Sequence, residues 1–210
     1  MSEVKKAGIV HYLVDGWLVI LLAILFGGTL AGVDIAWRDR ILANRKQKML
    51  RAIARIFPQS DLKRSREVKI TGPEGKKLTV WQVNDQANHC LGWGILTSGQ
   101  GFNGEIQLLL ALDAKAEKIV DIDILAQSET PALGDQITNQ DSPLRQSYRK
   151  GLSASRPVVV VKRQANVKDN EVEALSGATI SSESVTAIVN VALDKYRPGI
   201  QKLISNPTSK

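Results

Sequence analysis

The sequence predicts an α+β protein: a single N-terminal transmembrane helix followed by one mixed sheet-and-helix domain. Three observations carry this. Residues 16–33 are an uncharged apolar run, five strand-like runs separated by turn residues follow between 67 and 125, and residues 182–196 repeat apolar side chains at three- and four-residue spacing. Strands that come in succession, without helices alternating between them, are the α+β pattern.

The first element lies between Asp15 and Asp34. Its eighteen residues, GWLVILLAILFGGTLAGV, comprise thirteen apolar side chains, four Gly and one Thr. As a helix they cover roughly 27 Å, close to the hydrocarbon thickness of a bilayer. Trp17 and Trp37 stand twenty positions apart and suit two interfacial anchors. The run is apolar on all sides, which fits lipid better than a soluble core. A cleaved signal peptide fits less well, because Leu30-Ala31-Gly32-Val33 is a poor cleavage site. Gly28 and Gly32 form a GxxxG spacing that lets a second membrane helix approach.

The boundaries read as a tail over 1–15, an anchor over 16–37, a basic linker helix over 38–58 and a domain over 59–210. In the linker, Leu42, Met49, Ile53 and Ile56 share one face and Pro58 ends the helix. The formal charge is +7, and nine Lys and Arg against four Asp and Glu in residues 1–60 supply +5 of it. The basic excess therefore belongs to the membrane-proximal quarter, which argues against a nucleic-acid-binding face on the domain. Lys5 and Lys6 precede the span, while Arg38, Arg40, Arg45, Lys46, Lys48 and Arg51 follow it, so counting positives places the C-terminal side in the cytoplasm. One cysteine and two histidines exclude a disulfide framework and a Cys- or His-rich metal centre within the chain.

Within the domain the strand runs are 67–71, 78–83, 90–96, 105–112, 118–125 and 157–161. Thr71-Gly72-Pro73-Glu74-Gly75 and Asp113-Ala114-Lys115-Ala116 are turns that should close two hairpins. In 118–125, Asp121 and Asp123 interrupt the apolar residues, which predicts one core face and one wet face. Cys90, next to His89, reads as a small core residue. The helix over 182–196 takes Val185, Ile188, Val189, Ala192, Leu193 and Tyr196 as its buried stripe, Ser181 or Ser182 as its cap, Glu183 at its positive end and Pro198-Gly199 as its stop.

The segment before that helix carries the chemistry. Ser176-Gly177-Ala178-Thr179-Ile180-Ser181-Ser182 is a small, hydroxyl-rich turn feeding a helix N-terminus, where unpaired N–H groups favour an anion such as phosphate. On these residues alone, a capped loop without a ligand is the commoner outcome.

Ser176-Gly177-Ala178-Thr179 resembles the flavinylation motif of the FMN-binding domain family. Its members include the G subunit of the Rnf electron-transport complex and the C subunit of the sodium-pumping NADH:quinone reductase. Ser128-Glu129-Thr130-Pro131-Ala132-Leu133-Gly134-Asp135 resembles a second family segment, with Ala132 where Gly is usual. Gly101-Phe102-Asn103-Gly104-Glu105-Ile106 is similar to the family's glycine-rich approach to the central hairpin. Glu173 stands where the family usually has Asp. The length and single span fit the Rnf protein better than its longer relative.

The resemblance implies FMN held covalently through a phosphothreonyl linkage at Thr179 and placed there by a separate flavin transferase. Ser176, Gly177, Ala178 and Ser181 would shape that site, with Glu129, Thr130, Leu133 and Gly134 near the flavin. It also implies an electron-transfer subunit of an ion-translocating oxidoreductase rather than a self-sufficient enzyme. Such a protein has other membrane subunits as partners and is single-pass in the bacterial inner membrane, with an extracytoplasmic C-terminal domain, opposite to the charge count. The alternatives are an FMN-free structural or binding subunit of such a complex, or a standalone anchored extracytoplasmic flavoprotein.

Overall fold

A computed structural model of the chain describes residues 3–205, with side chains described from Gly16 onward except at Glu74. The side chains of Lys5 and Lys6, and residues 206–210 of the predicted domain, lie outside that set. Two compact units emerge, Met1–Lys46 and Gln47–Lys210.

A single helix, α1 (Glu3–Ile56), supplies the first unit and the opening residues of the second. In the first unit, Trp17, Leu21, Ile24, Leu25, Phe26, Leu30 and Trp37 are all exposed. Water would penalise so continuous an apolar surface, whereas lipid matches it. Among the described residues this is the one helix long and apolar enough to cross a membrane. The residues read as a linker helix are helical through Ile56, where Pro58 stops the pattern as expected. Leu42, grouped with the linker's apolar stripe, is exposed instead.

The second unit is built on a five-stranded antiparallel sheet of order β1-β2-β3-β4-β5: β1 (Arg66–Thr71), β2 (Lys77–Asn84), β3 (Cys90–Gln100), β4 (Glu105–Asp113) and β5 (Ile119–Ala126). The two predicted hairpins, β1–β2 and β4–β5, both form. Both faces of the sheet are covered, so β4 reads as an unbroken apolar run: Leu108, Leu109, Leu110, Ala111 and Leu112 are each buried. On one face Leu109, Ala111, Trp81 and Val83 pack against Met49, Ala52, Ile53 and Phe57. Phe57 lies so close to the sheet that a Cβ on Gly92 would stand 2.7 Å from its ring.

The other face carries the larger core. Leu108, Leu110, Leu112, Ile119 and Ile122 meet α2 (Pro143–Tyr148) and α3 (Thr179–Ser205) there. Two short strands, β6 (Val159–Val161) and β7 (Glu171–Glu173), pair in parallel as a separate sheet. The predicted strand over 157–161 therefore exists, but outside the main sheet. Cys90 is half-buried against the core rather than inside it.

Two expectations are corrected here. The Asp121–Asp123 face of β5 does not meet water. Both carboxylates are buried by Arg145 of α2, itself 1% exposed, whose Nε donates to Asp121 Oδ1 at 2.7 Å and Nη1 to Asp123 Oδ1 at 2.8 Å. Helix α3 starts three residues before the predicted 182 and continues through Pro198 to Ser205. Burial of Ile200 and packing of Leu203 on the core outweigh the hydrogen bond that proline removes. Glu183 consequently falls in the second turn, beyond the reach of the helix's positive end.

Candidate functional site

The site lies where three sequence-distant segments meet at the N-terminus of α3. The turn into the helix is closed by the Ala178 N–H, which donates to Leu175 O at 3.0 Å. Gly177 sits in it with φ +77°, a left-handed conformation that favours glycine. Beside this turn opens a cleft of about 360 Å³ lined by Phe102, Thr130, Leu133, Gly134, Gly177, Ala178, Thr179, Ile180 and Ser181.

The four hydroxyls of the motif have different fates. Ser182 is fully buried; its Oγ donates to Ala178 O at 2.9 Å and accepts from the Leu175 N–H at 3.1 Å. Ser181, 3% exposed, donates to Glu129 Oε2 at 2.5 Å. Neither is the helix cap the sequence suggested. Ser176 is exposed and lies outside the cleft lining. Thr179 is half-buried and lines the cleft, and no described hydrogen bond engages its hydroxyl. First-turn N–H groups have no intrahelical partner, and no described loop or side-chain hydrogen bond engages those of Thr179, Ile180 and Ser181.

Glu129, expected near the flavin from the family segment, is a buried carboxylate. It is 5% exposed, and its Oε1 accepts from the Asn103 N–H at 3.1 Å. Burial works against its charge. Hydrogen bonds from Ser181 and from the backbone of Asn103, Gly104 and Phe102 outweigh that and hold its pKa below the ordinary glutamate value. Of the predicted residues, Thr130, Leu133, Gly134, Gly177, Ala178, Thr179 and Ser181 line the cleft; Glu129 bonds to one of them, Ser181, and Ser176 is exposed and outside the lining.

Two lining residues were missed. Phe102 and Ile180, with Leu133, are large apolar side chains 62%, 54% and 51% exposed around one opening. Phe102 and Ile180 both stand within segments that carried the family resemblance, but a lone exposed apolar residue gives no sequence signal of its own.

The arrangement can hold an anion at uncapped N–H groups and a flat apolar group against the rim. Residues 101–194 match the FMN-binding domain family. They form an FMN-binding domain. Over 92% of its length the chain is 26% identical to the G subunit of the Na(+)-translocating ferredoxin:NAD(+) oxidoreductase complex of Acetobacterium woodii, covering 92% of that protein. It is 32% identical, over 60% of this chain and 64% of the other, to the G subunit of the proton-translocating complex of Clostridium ljungdahlii. Over 92% of this chain and 94% of the other it is 25% identical to the G subunit of the ion-translocating oxidoreductase complex of Methanosarcina acetivorans.

Among solved structures, NqrC of Shewanella oneidensis superposes with a TM-score of 0.53 at 16% identity, covering 71% of this chain and 73% of NqrC. The C subunit of the Na(+)-translocating NADH-quinone reductase of Parabacteroides distasonis gives 0.51 at 24% identity, over 59% and 63%. The FMN-binding domain of this chain thus shares its fold with these two proteins. Its cleft residues fit the cofactor: Phe102, Leu133 and Ile180 ring the opening, Gly177 puts no side chain into it, and the Thr179 hydroxyl is uncommitted.

Proposed function

We propose that this chain is the G subunit of an Rnf-type ion-translocating oxidoreductase complex, anchored by α1, that carries FMN covalently on Thr179 and relays electrons to and from its partner proteins. The observation that carries the reading is the contrast among hydroxyls: within the cleft, the Ser181 hydroxyl is committed as a donor to Glu129, while Thr179 Oγ1 is uncommitted at the helix N-terminus. Bound FMN supplies the redox chemistry, and the protein sets its position and potential. The first-turn N–H groups of α3 suit the phosphate, and Phe102, Leu133 and Ile180 suit the ring system.

A threonine hydroxyl is a weak nucleophile, and no described side chain hydrogen-bonds Thr179 as a base. A separate flavin transferase is therefore the natural agent of attachment. The relatives' membership of multisubunit complexes supports other membrane subunits as partners. Despite the six basic residues after the span, the domain is assigned to the extracytoplasmic side, since large translocated domains override the charge bias. A reporter active only outside the cytoplasm, fused after Lys210, should be active; a working cytoplasm-only reporter there would reverse the topology.

The direct test is intact mass and in-gel flavin fluorescence of the chain coexpressed with a competent transferase. Wild type should carry one FMN. Thr179→Val, close in shape but without the oxygen, should carry none while remaining folded and membrane-bound. Flavin mapped to Ser181 or Ser182, or wild type with no added mass, would overturn the assignment.

A further inference from the structure

Glu129 does more than complete the wall behind the cleft. Its carboxylate is buried, and its partners among the described residues are all neutral: the Ser181 hydroxyl and the backbone N–H groups of Asn103, Gly104 and Phe102. Neutral donors keep a carboxylate ionised without cancelling its charge. Among the described residues no ion pair to Lys, Arg or His involves it, in contrast to Asp121 and Asp123, whose charges are matched by arginines.

One layer of protein separates this anion from the cleft. Ser181 and Gly134 both line the opening, and a Cβ on Gly134 would stand 2.8 Å from Ser181 Oγ and 2.9 Å from Glu129 Oε2. A group seated against those residues therefore meets a fixed negative charge across a single layer of protein. Reduction adds electron density to that group, and a nearby fixed anion opposes it.

We propose that Glu129 is a built-in electrostatic bias that lowers the reduction potential of the flavin in this cleft, an inference that rests on FMN being held at Thr179. A unit charge on the order of 10 Å away, at an effective permittivity near 20, shifts such an equilibrium about tenfold. For a two-electron couple that is about 30 mV. The rest of the fold serves the same end. Gly101 lets the 101–104 turn close on the carboxylate, since a Cβ there would stand 2.3 Å from Oε1.

The test is reductive titration of the full flavin-loaded chain in detergent, with redox dyes, read at the flavin absorbance. Glu129→Gln removes the charge but keeps the shape and should raise the midpoint by about 30 mV, the tenfold shift. Glu129→Asp keeps the charge and should move it by less than a third as much. An unmoved or lowered potential in Glu129→Gln, or an equal shift in both variants, overturns the proposal. Should Glu129→Gln fail to fold, Ser181→Ala decides: it removes a donor but leaves the charge, so the potential should hold or fall, and a rise overturns the idea. Wild type with no FMN mass overturns the covalent reading and this inference with it. A loaded wild type whose potential ignores residue 129 overturns this inference alone.

Discussion

Replacing Arg145 with Met tests how α2 is held to the sheet. The side chain makes three hydrogen bonds to Asp121 and Asp123, at 2.7, 2.8 and 3.1 Å, and burial of its charge is outweighed by those two carboxylates. Without it, both Asp remain 5–6% exposed. Their remaining partners are the Ile122 N–H and Arg149 Nε on Asp121, at 2.8 and 3.0 Å, and Arg55 Nη1 on Asp123, at 3.1 Å; the two arginine side chains are 38% and 48% exposed. Removing one member of a buried pair costs about 3–5 kcal/mol, and the two outer arginines argue for the lower end, about 3. For a folded unit of this size that is a fall in Tm of about 6–12 °C, measured by near-ultraviolet circular dichroism on the detergent-solubilised chain. If uncompensated charge is the cause, adding Asp121→Asn and Asp123→Asn should recover at least half of the loss. A Tm within about 3 °C of wild type in Arg145→Met would refute the reasoning.

Four further outcomes are expected. Ala132 sits at φ +63°, where an L side chain costs about 1–2 kcal/mol, so Ala132→Gly should be neutral or stabilising by up to about 1 kcal/mol in denaturant melts once the added freedom of the unfolded chain is subtracted. Gly134→Ala forces a methyl against Ser181 Oγ and Glu129 and should destabilise by about 1–3 kcal/mol; a gain in stability would show the contact to be slack. Because the folded-state pKa of Glu129 is depressed, its stabilisation is present above the unfolded value and is lost as pH falls through the folded one. The stability gap between wild type and Glu129→Gln should therefore be flat near neutrality and shrink below pH 4.5, and a gap that widens on acidification would contradict this. Gly28 and Gly32 have no atom within 4 Å of an added Cβ, so Gly28→Leu and Gly32→Leu should insert normally yet weaken co-purification with partner proteins of the membrane; unchanged yield after both removes the glycine face.

The strands of the main sheet were legible because each is a β-branched or apolar run between turn residues. Two of the four pairings, β1–β2 and β4–β5, followed from tight turns, and only the strand ends moved by a few residues. The elements that escaped are short: α2 has six residues and β7 three, too few to show a period. Ser142-Pro143, an N-cap followed by Pro, was the available sign for α2. Asp121 and Asp123 misled because alternation reports polarity, and the arginine that turns those polar positions into buried ones stands 22 or more residues away. The start of α3 was misplaced for a related reason. Ser181 and Ser182 look like caps in sequence, but Glu129, 52 residues upstream, engages one, and the Leu175–Ala178 turn engages the other.

That displacement of the caps bears on why three separated segments share one site. A carboxylate at 129 must be satisfied once buried, and the 101–104 turn and Ser181 supply the donors. Close approach on that scale leaves no room for side chains: a Cβ on Gly101 or Gly134 would strike Glu129, and one on Gly104 would come within 2.8 Å of Ser128 Cβ. The glycines of two segments and a serine of the third thus answer to a single buried charge. The first turn of α3 begins beside an apolar-rimmed cleft, and its N–H groups have no intrahelical partner. The hydrogen bond that orders the loops thus sits directly beside a helix terminus suited to an external phosphate. Losing Glu129 should therefore loosen the 128–134 loop and the 101–104 turn together.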